Sequence, residues 1–152
     1  QLQRSGVLYA GHAVWIRDQL DQLLFITDQG RWGKTSEYHM YTVYAQMDGE
    51  LAASVPSKSL DLIAVNKGDR GYILLGNNRS FTGTAGIRIS GIGYENYEIK
   101  LYHIPDKNGG AVTEEEILPI WEQSYTNSDE AVLAFDWMNP KDGYYLVIEK
   151  IS

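Results

Sequence analysis

Apolar positions along this chain follow one rhythm up to about residue 50 and another beyond it. In residues 5–20, Val7, Ala10 and Val14 recur at helical spacing, and Ser5 can cap the turn before them. His12 lies in this stretch with no partner histidine one turn on, so it reads as a structural side chain rather than a ligand. Leu23, Leu24, Phe25 and Ile26 are then continuously apolar, which predicts a short strand over 22–28 covered on both faces. Residues 28–34 are polar and carry Gly30 and Gly33, the signature of a loop. From Ser36 onward Tyr38, Tyr41, Tyr44 and Met47 recur three apart, with Val43 widening the face. This predicts a second helix, capped by Ser36, favoured by Glu37 in its first turn and ended by Asp48-Gly49.

Beyond residue 50 the pattern becomes short apolar runs broken by Gly, Pro, Asn and Asp. Strands are predicted at 51–55, 60–65, 72–75, 86–89, 97–104, 131–135 and 144–148. Between them fall turns such as Lys67-Gly68-Asp69, Gly91-Ile92-Gly93 and Asn139-Pro140-Lys141-Asp142-Gly143. The runs Leu62 to Val65 and Tyr72 to Leu75, joined by a polar turn, make a hairpin that we place at the centre of the fold. Residues 113–125 are ambiguous, since Thr113-Glu114-Glu115-Glu116 opens like a helix and Pro119 interrupts it.

The expected fold class is therefore mainly β, an antiparallel β-sandwich (51–152) preceded by an α-β-α segment (1–50). That first segment cannot be self-sufficient as read. A strand buried on both faces wants parallel neighbours and helices on either side. Leaving such residues wet would forfeit roughly 1.5–3 kcal/mol each.

Composition narrows the function. A net charge of −7 argues against nucleic acid as a partner, because phosphate binding needs clustered Lys and Arg. No apolar run approaches membrane-spanning length, so no membrane partner is expected. With no cysteine, thiolate metal sites and cysteine nucleophiles are excluded. Eleven Tyr and four Trp against three Phe suit half-wet or sugar-facing surfaces, although sheets favour such rings in any case.

Two stretches carry a family resemblance. Tyr38-His39-Met40-Tyr41-Thr42-Val43-Tyr44 with Asp48-Gly49-Glu50-Leu51 resembles the last barrel helix of clan A glycoside hydrolases, which leads into a C-terminal β-sandwich. Residues 60–65 through 71–78 resemble that sandwich's central hairpin. The resemblance is nearest to enzymes of the agarase and porphyranase type, with arabinofuranosidase-like and xylosidase-like members close behind. It implies that 5–20, 22–27 and 36–47 are the seventh helix, eighth strand and eighth helix of a (β/α)8 barrel. It also implies a secreted or periplasmic polysaccharide hydrolase, with the remainder of the barrel as a partner. The family's two catalytic glutamates would both lie upstream of Gln1, so no catalytic residue is assigned here.

If 22–27 is a barrel strand, its C-terminal end faces the active site. Asp28, Gln29, Arg31 and Trp32 are then the candidate substrate-binding residues, with the Trp32 indole a platform for a sugar ring and the polar groups bonding hydroxyls of a polysaccharide or oligosaccharide. The acids Glu114, Glu115, Glu116, Asp129 and Glu130 read as solvated surface rather than a hydrolytic pair. Serine-triad and phosphate-loop motifs are missing, and no cofactor or metal is expected. Asp106, Asn108 and Asp142 offer oxygens to calcium without the spacing of a binding loop. Tyr94, Tyr97, Trp121, Tyr125 and Trp137 form either an aromatic glycan strip or sandwich core. A stand-alone carbohydrate-binding sandwich and a ligand-free interaction domain are the competing readings.

Overall fold

A computed structural model of the protein describes residues 23–26, 29–77 and 81–151. The predicted first helix (5–20), His12 and Asp28 lie outside the described residues. The remainder is mainly β, with three antiparallel sheets and one short α-helix.

The strands are β1 (Leu24–Ile26), β2 (Trp32–Lys34), β3 (Glu50–Leu51), β4 (Leu60–Lys67), β5 (Arg70–Asn77), β6 (Gly83–Ser90), β7 (Asn96–Ile104), β8 (Pro119–Thr126), β9 (Glu130–Trp137) and β10 (Gly143–Lys150), with helix α1 (Ser36–Gln46) between β2 and β3. A six-stranded sheet runs β3-β4-β5-β10-β7-β8, and a ribbon of β6 and β9 forms a second layer. The chain's last strand, β10, is inserted between β5 and β7, so the hairpin β4–β5 occupies one side of the sheet and only β5 is central.

Alternation along the central strands explains the layering. Tyr144, Leu146 and Ile148 of β10 face the ribbon, where they pack with Ile73, Leu75, Tyr97, Ile99 and Leu101 against Ala131, Leu133, Phe135 and Trp137. Tyr145 and Val147 point the other way, into a second cluster where Val43 and Met47 of α1 cover Val65, Tyr72 and Ile104. The large sheet is therefore sandwiched between a β ribbon and a helix. That explains why Tyr72 to Leu75 reads as a continuous apolar run, since both of its faces are buried.

Several expectations change. The run at 23–26 does form a strand, but β1 pairs antiparallel with β2 instead of with parallel neighbours. Gly30, at φ +70°, lets the chain double back, so residues 32–34 are strand rather than loop. The predicted strand at 51–55 is only Glu50–Leu51, and Val55 before Pro56 is 92% exposed. Strand β8 was hidden by Pro119, which lacks a ladder donor but is tolerated as the first residue of an edge strand. Glu114–Glu116 is one turn of 3-10 helix, with Thr113 and Glu116 bonding reciprocally as a capping box. Helix α1 is capped by Thr35, one residue earlier than expected, and its buried face is Ser36, His39 and Val43. Tyr41 and Tyr44, expected on the buried face, are exposed.

Candidate functional site

The candidate site begins at the β1–β2 hairpin and runs into α1. Gln29 and Arg31 are exposed at its tip, and Trp32 is 58% exposed on β2 opposite Ile26. These three are brought together on one short hairpin.

What holds the hairpin in place is a set of groups that sequence reasoning passed over. Thr35 is fully buried; its hydroxyl donates to the Leu23 carbonyl (3.1 Å) and accepts from the Tyr38 N–H (3.4 Å). One side chain thereby ties β1 to the first turn of α1. Val112, in the connection after β7, bridges to both elements. Its N–H donates to the Lys34 carbonyl at 2.8 Å, and its own carbonyl accepts from His39 Nε2 at 2.8 Å. Because a carbonyl only accepts, His39 carries its proton on Nε2. His39 is buried, and the Tyr38 ring meets it edge-on at 5.6 Å. The sequence carried no signal for this anchor, since the tyrosines three apart read as the buried face and His39 faces inward only in the folded structure.

Around the anchor runs a charged rim. Lys34 Nζ bonds Glu114 at 2.9 Å and lies 4.9 Å above the Tyr38 ring. Its hydrogen bond to Glu114 raises the Lys34 pKa, and the same bond lowers that of Glu114. Both groups are solvated, so the pair orients more than it stabilises.

Among the described residues, besides a cleft of about 210 Å³ between His39, Thr42 and Gln46 of α1 and Glu114, Ile117 and Tyr145, two further clefts flank the helix. The larger, about 680 Å³, lies between Glu37, Met40 and Tyr41 on the helix and the turns bearing Asn77, Asp106, Asn108 and Lys141. The other, about 270 Å³, is more apolar and is lined by Met40, Leu51, Ile63 and Leu74, with Asp61 among its polar groups. Trp32, Gln29 and Arg31 line neither cleft. Of the three residues that offered oxygens to a cation, Asp106, Asn108 and Asp142, the last has both carboxylate oxygens bonded within the protein. Buried Asp142 is engaged by His103 Nε2 (2.8 Å) and by the Asp106 N–H (2.8 Å). Among the described residues no group of three His, Asp or Glu side chains is placed to hold a metal.

Within the sandwich the aromatic strip resolves largely into core. Tyr97 and Trp137 are buried, and the Trp137 indole donates to the Asn139 carbonyl at 2.9 Å. Tyr125 stacks on Tyr97 at 4.9 Å with only 9° between the planes. Trp121, Tyr125 and Tyr94 remain half-exposed against that core.

The chain matches no family model and no curated protein. Solved structures do match its fold. A GH39 enzyme from Xanthomonas axonopodis pv. citri superposes with a TM-score of 0.61 at 9% identity, over 86% of this chain and 32% of its own. A monomeric β-xylosidase from Caulobacter crescentus CB15 gives 0.59 at 12% identity, over 86% and 33%. N2152 from Neocallimastix frontalis gives 0.65 at 20% identity, over 78% and 31%. The chain thus spans about a third of the length of the structures it matches. At these identities the likeness is one of fold: a mainly antiparallel β-sandwich like the C-terminal domain of GH39 and GH51 enzymes.

Proposed function

We propose that this chain is the C-terminal portion of a secreted or periplasmic glycoside hydrolase that degrades polysaccharide, its sandwich supporting a (β/α)8 barrel. The observation that carries this reading is the construction of α1. One side of the helix is fixed to the sandwich through His39, Val43 and Met47, while Tyr41 (50% exposed) and Tyr44 (45%) face outward. A free-standing surface helix concentrates its apolar side chains on one face. Here large side chains occur on both, as expected of a helix with a second partner. The remainder of the barrel is that partner in this reading. The similarity over 86% of the chain to a GH39 enzyme and a β-xylosidase, each about three times as long, supports it.

In the assembled enzyme the β1–β2 hairpin would stand at the barrel mouth, with Trp32 stacking on a sugar ring and Asp28, Gln29 and Arg31 bonding hydroxyls. The catalytic acids come from the barrel. The agarase and porphyranase resemblance makes red-algal galactans the first substrates to try, followed by arabinoxylans. A Trp32→Ala variant of the enzyme containing the barrel should bind oligosaccharide about tenfold more weakly, a loss of about 1.4 kcal/mol. Its unfolding transition should be unchanged, because the indole is mostly in solvent. Unaltered oligosaccharide affinity would remove Trp32 from the site.

A further inference from the structure

We propose that strand β8 is a dimerisation edge, at which two copies of this chain join their six-stranded sheets into one. The inference is independent of the glycosidase reading.

The two edges of the large sheet are built differently. On one side β4 is partly covered by β3, and the Ala52 N–H continues that pairing onto the Ala64 carbonyl at 2.9 Å. On the other side β8 runs for eight residues, and among the described residues no strand lies beyond it. An edge of that length presents a row of unpaired backbone donors and acceptors, which proteins ordinarily blunt with lysines, inward charges or bulges. Strand β8 has few of these guards. Pro119 removes a donor only at its start, and the irregularity in the β7–β8 ladder falls at that same end. Its single charge, Glu122, lies 3.6 Å from Lys100 on β7. Ile120 is 51% exposed, and Trp121 and Tyr125 are half-covered.

The choice of a second copy as occupant rests on self-complementarity. A two-fold axis perpendicular to the sheet keeps the two faces of the strand distinct. Residues directly opposite one another must then belong to the same face, and the axis must pass through a residue. The ladder with β7 sets Trp121, Gln123 and Tyr125 on the core face, opposite Leu101, Ile99 and Tyr97. An axis through Glu122 would oppose that carboxylate to itself. An axis through Gln123 instead sets Trp121 opposite the second copy's Tyr125, and Tyr125 opposite its Trp121. It also sets Glu122 opposite Ser124, and Ile120 opposite Thr126. No like charges are then directly opposite: the two Glu122 carboxylates lie on a diagonal, each beside its own Lys100, and both aromatic pairs are of the kind that stabilises antiparallel strands.

The absence of native cysteine makes the test direct. In this register a Gln123→Cys substitution places two thiols face to face across the axis, at a separation a disulfide can close. Ile120→Cys places them six residues apart along the ladder, roughly 20 Å. Sedimentation of the chain should show a dimer, and mild oxidation should cross-link Gln123→Cys but not Ile120→Cys. Gln123→Lys should weaken dimerisation by at least about tenfold, since two ammonium groups would then meet. Val132→Lys, on the outward face of the ribbon, should leave it unchanged. A monomer at all attainable concentrations would overturn the proposal. So would a dimer indifferent to Gln123→Lys, equal cross-linking from both cysteine variants, or a dimer broken equally by Val132→Lys.

Discussion

Gly143, the first residue of β10, lies against Met40 of α1. A Cβ built there would overlap the Met40 sulfur, the far end of a flexible, half-buried side chain that would have to swing aside. Because Met40 borders two clefts into which it can move, Gly143→Ala should destabilise the protein by no more than about 1 kcal/mol, the low end of the cost of overpacking, read from the urea midpoint. Met40→Ala removes the clashing group, so the double variant should recover part of that loss; strict additivity would place the clash elsewhere. Tyr145, on the same face of β10, stacks on Tyr102 at 4.7 Å. Burial pushes its hydroxyl from its ordinary value of 10.0 up to about 12, with Tyr102 and Tyr72 adding to the shift. A raised folded pKa means the fold holds the proton more tightly than the unfolded chain does. Stability from this group is therefore intact below pH 10 and lost between pH 10 and about 12. Tyr145→Phe should flatten that alkaline slope, and an unchanged slope would assign it to other tyrosines.

Among the described residues, Thr35 joins the hairpin to the helix. Thr35→Ala removes the helix cap and the hydroxyl's bond to the Leu23 carbonyl, leaving the backbone N–H bond to that carbonyl (3.0 Å), at a cost of about 0.5–2 kcal/mol for the cap. Amide exchange should quicken first in β1 and the first turn of α1 while β5, β7 and β10 stay protected. Uniform loss of protection would show that the hairpin is integral to the global fold. The same elements show what the sequence reveals and what it hides. Strands β4, β5, β7, β9 and β10 were legible because each is apolar on alternate or all positions and ends at a turn residue. Strand β8 was not, since its register leaves Glu122, Ser124 and Gln123 in solvent and only Trp121 and Tyr125 against the core. The helix was legible but its orientation was not. Tyrosines three apart mark one face and His39, Val43 and Met47 another, and only tertiary packing decides which is covered. For β1 the apolar run implied a strand but carried no information about its partner. Gln29, Arg31 and Trp32 were legible only as neighbours in one polar stretch; the hairpin that carries them was not, because nothing in residues 28–34 shows that 32–34 pair back on 24–26. The Val112 bridge was hidden as well, because backbone acceptors leave no trace in residue identity.

At the scale of the molecule, the arrangement is a sandwich that has incorporated a helix. The β ribbon covers one face of the central sheet and α1 the other, so the helix belongs energetically to the sandwich even though it precedes it in sequence. What α1 turns outward is a tyrosine face, with the Trp32 hairpin beside it, and the central claim is that a hydrolase barrel covers that face. The most direct test is hydrolysis of a panel of red-algal galactans and arabinoxylans by two proteins: the pure 152-residue chain and the chain joined to the barrel proposed to precede it. The account predicts cleavage by the second and none by the first. Cleavage by the isolated chain, lost in Glu114→Gln or Glu130→Gln, would contradict it.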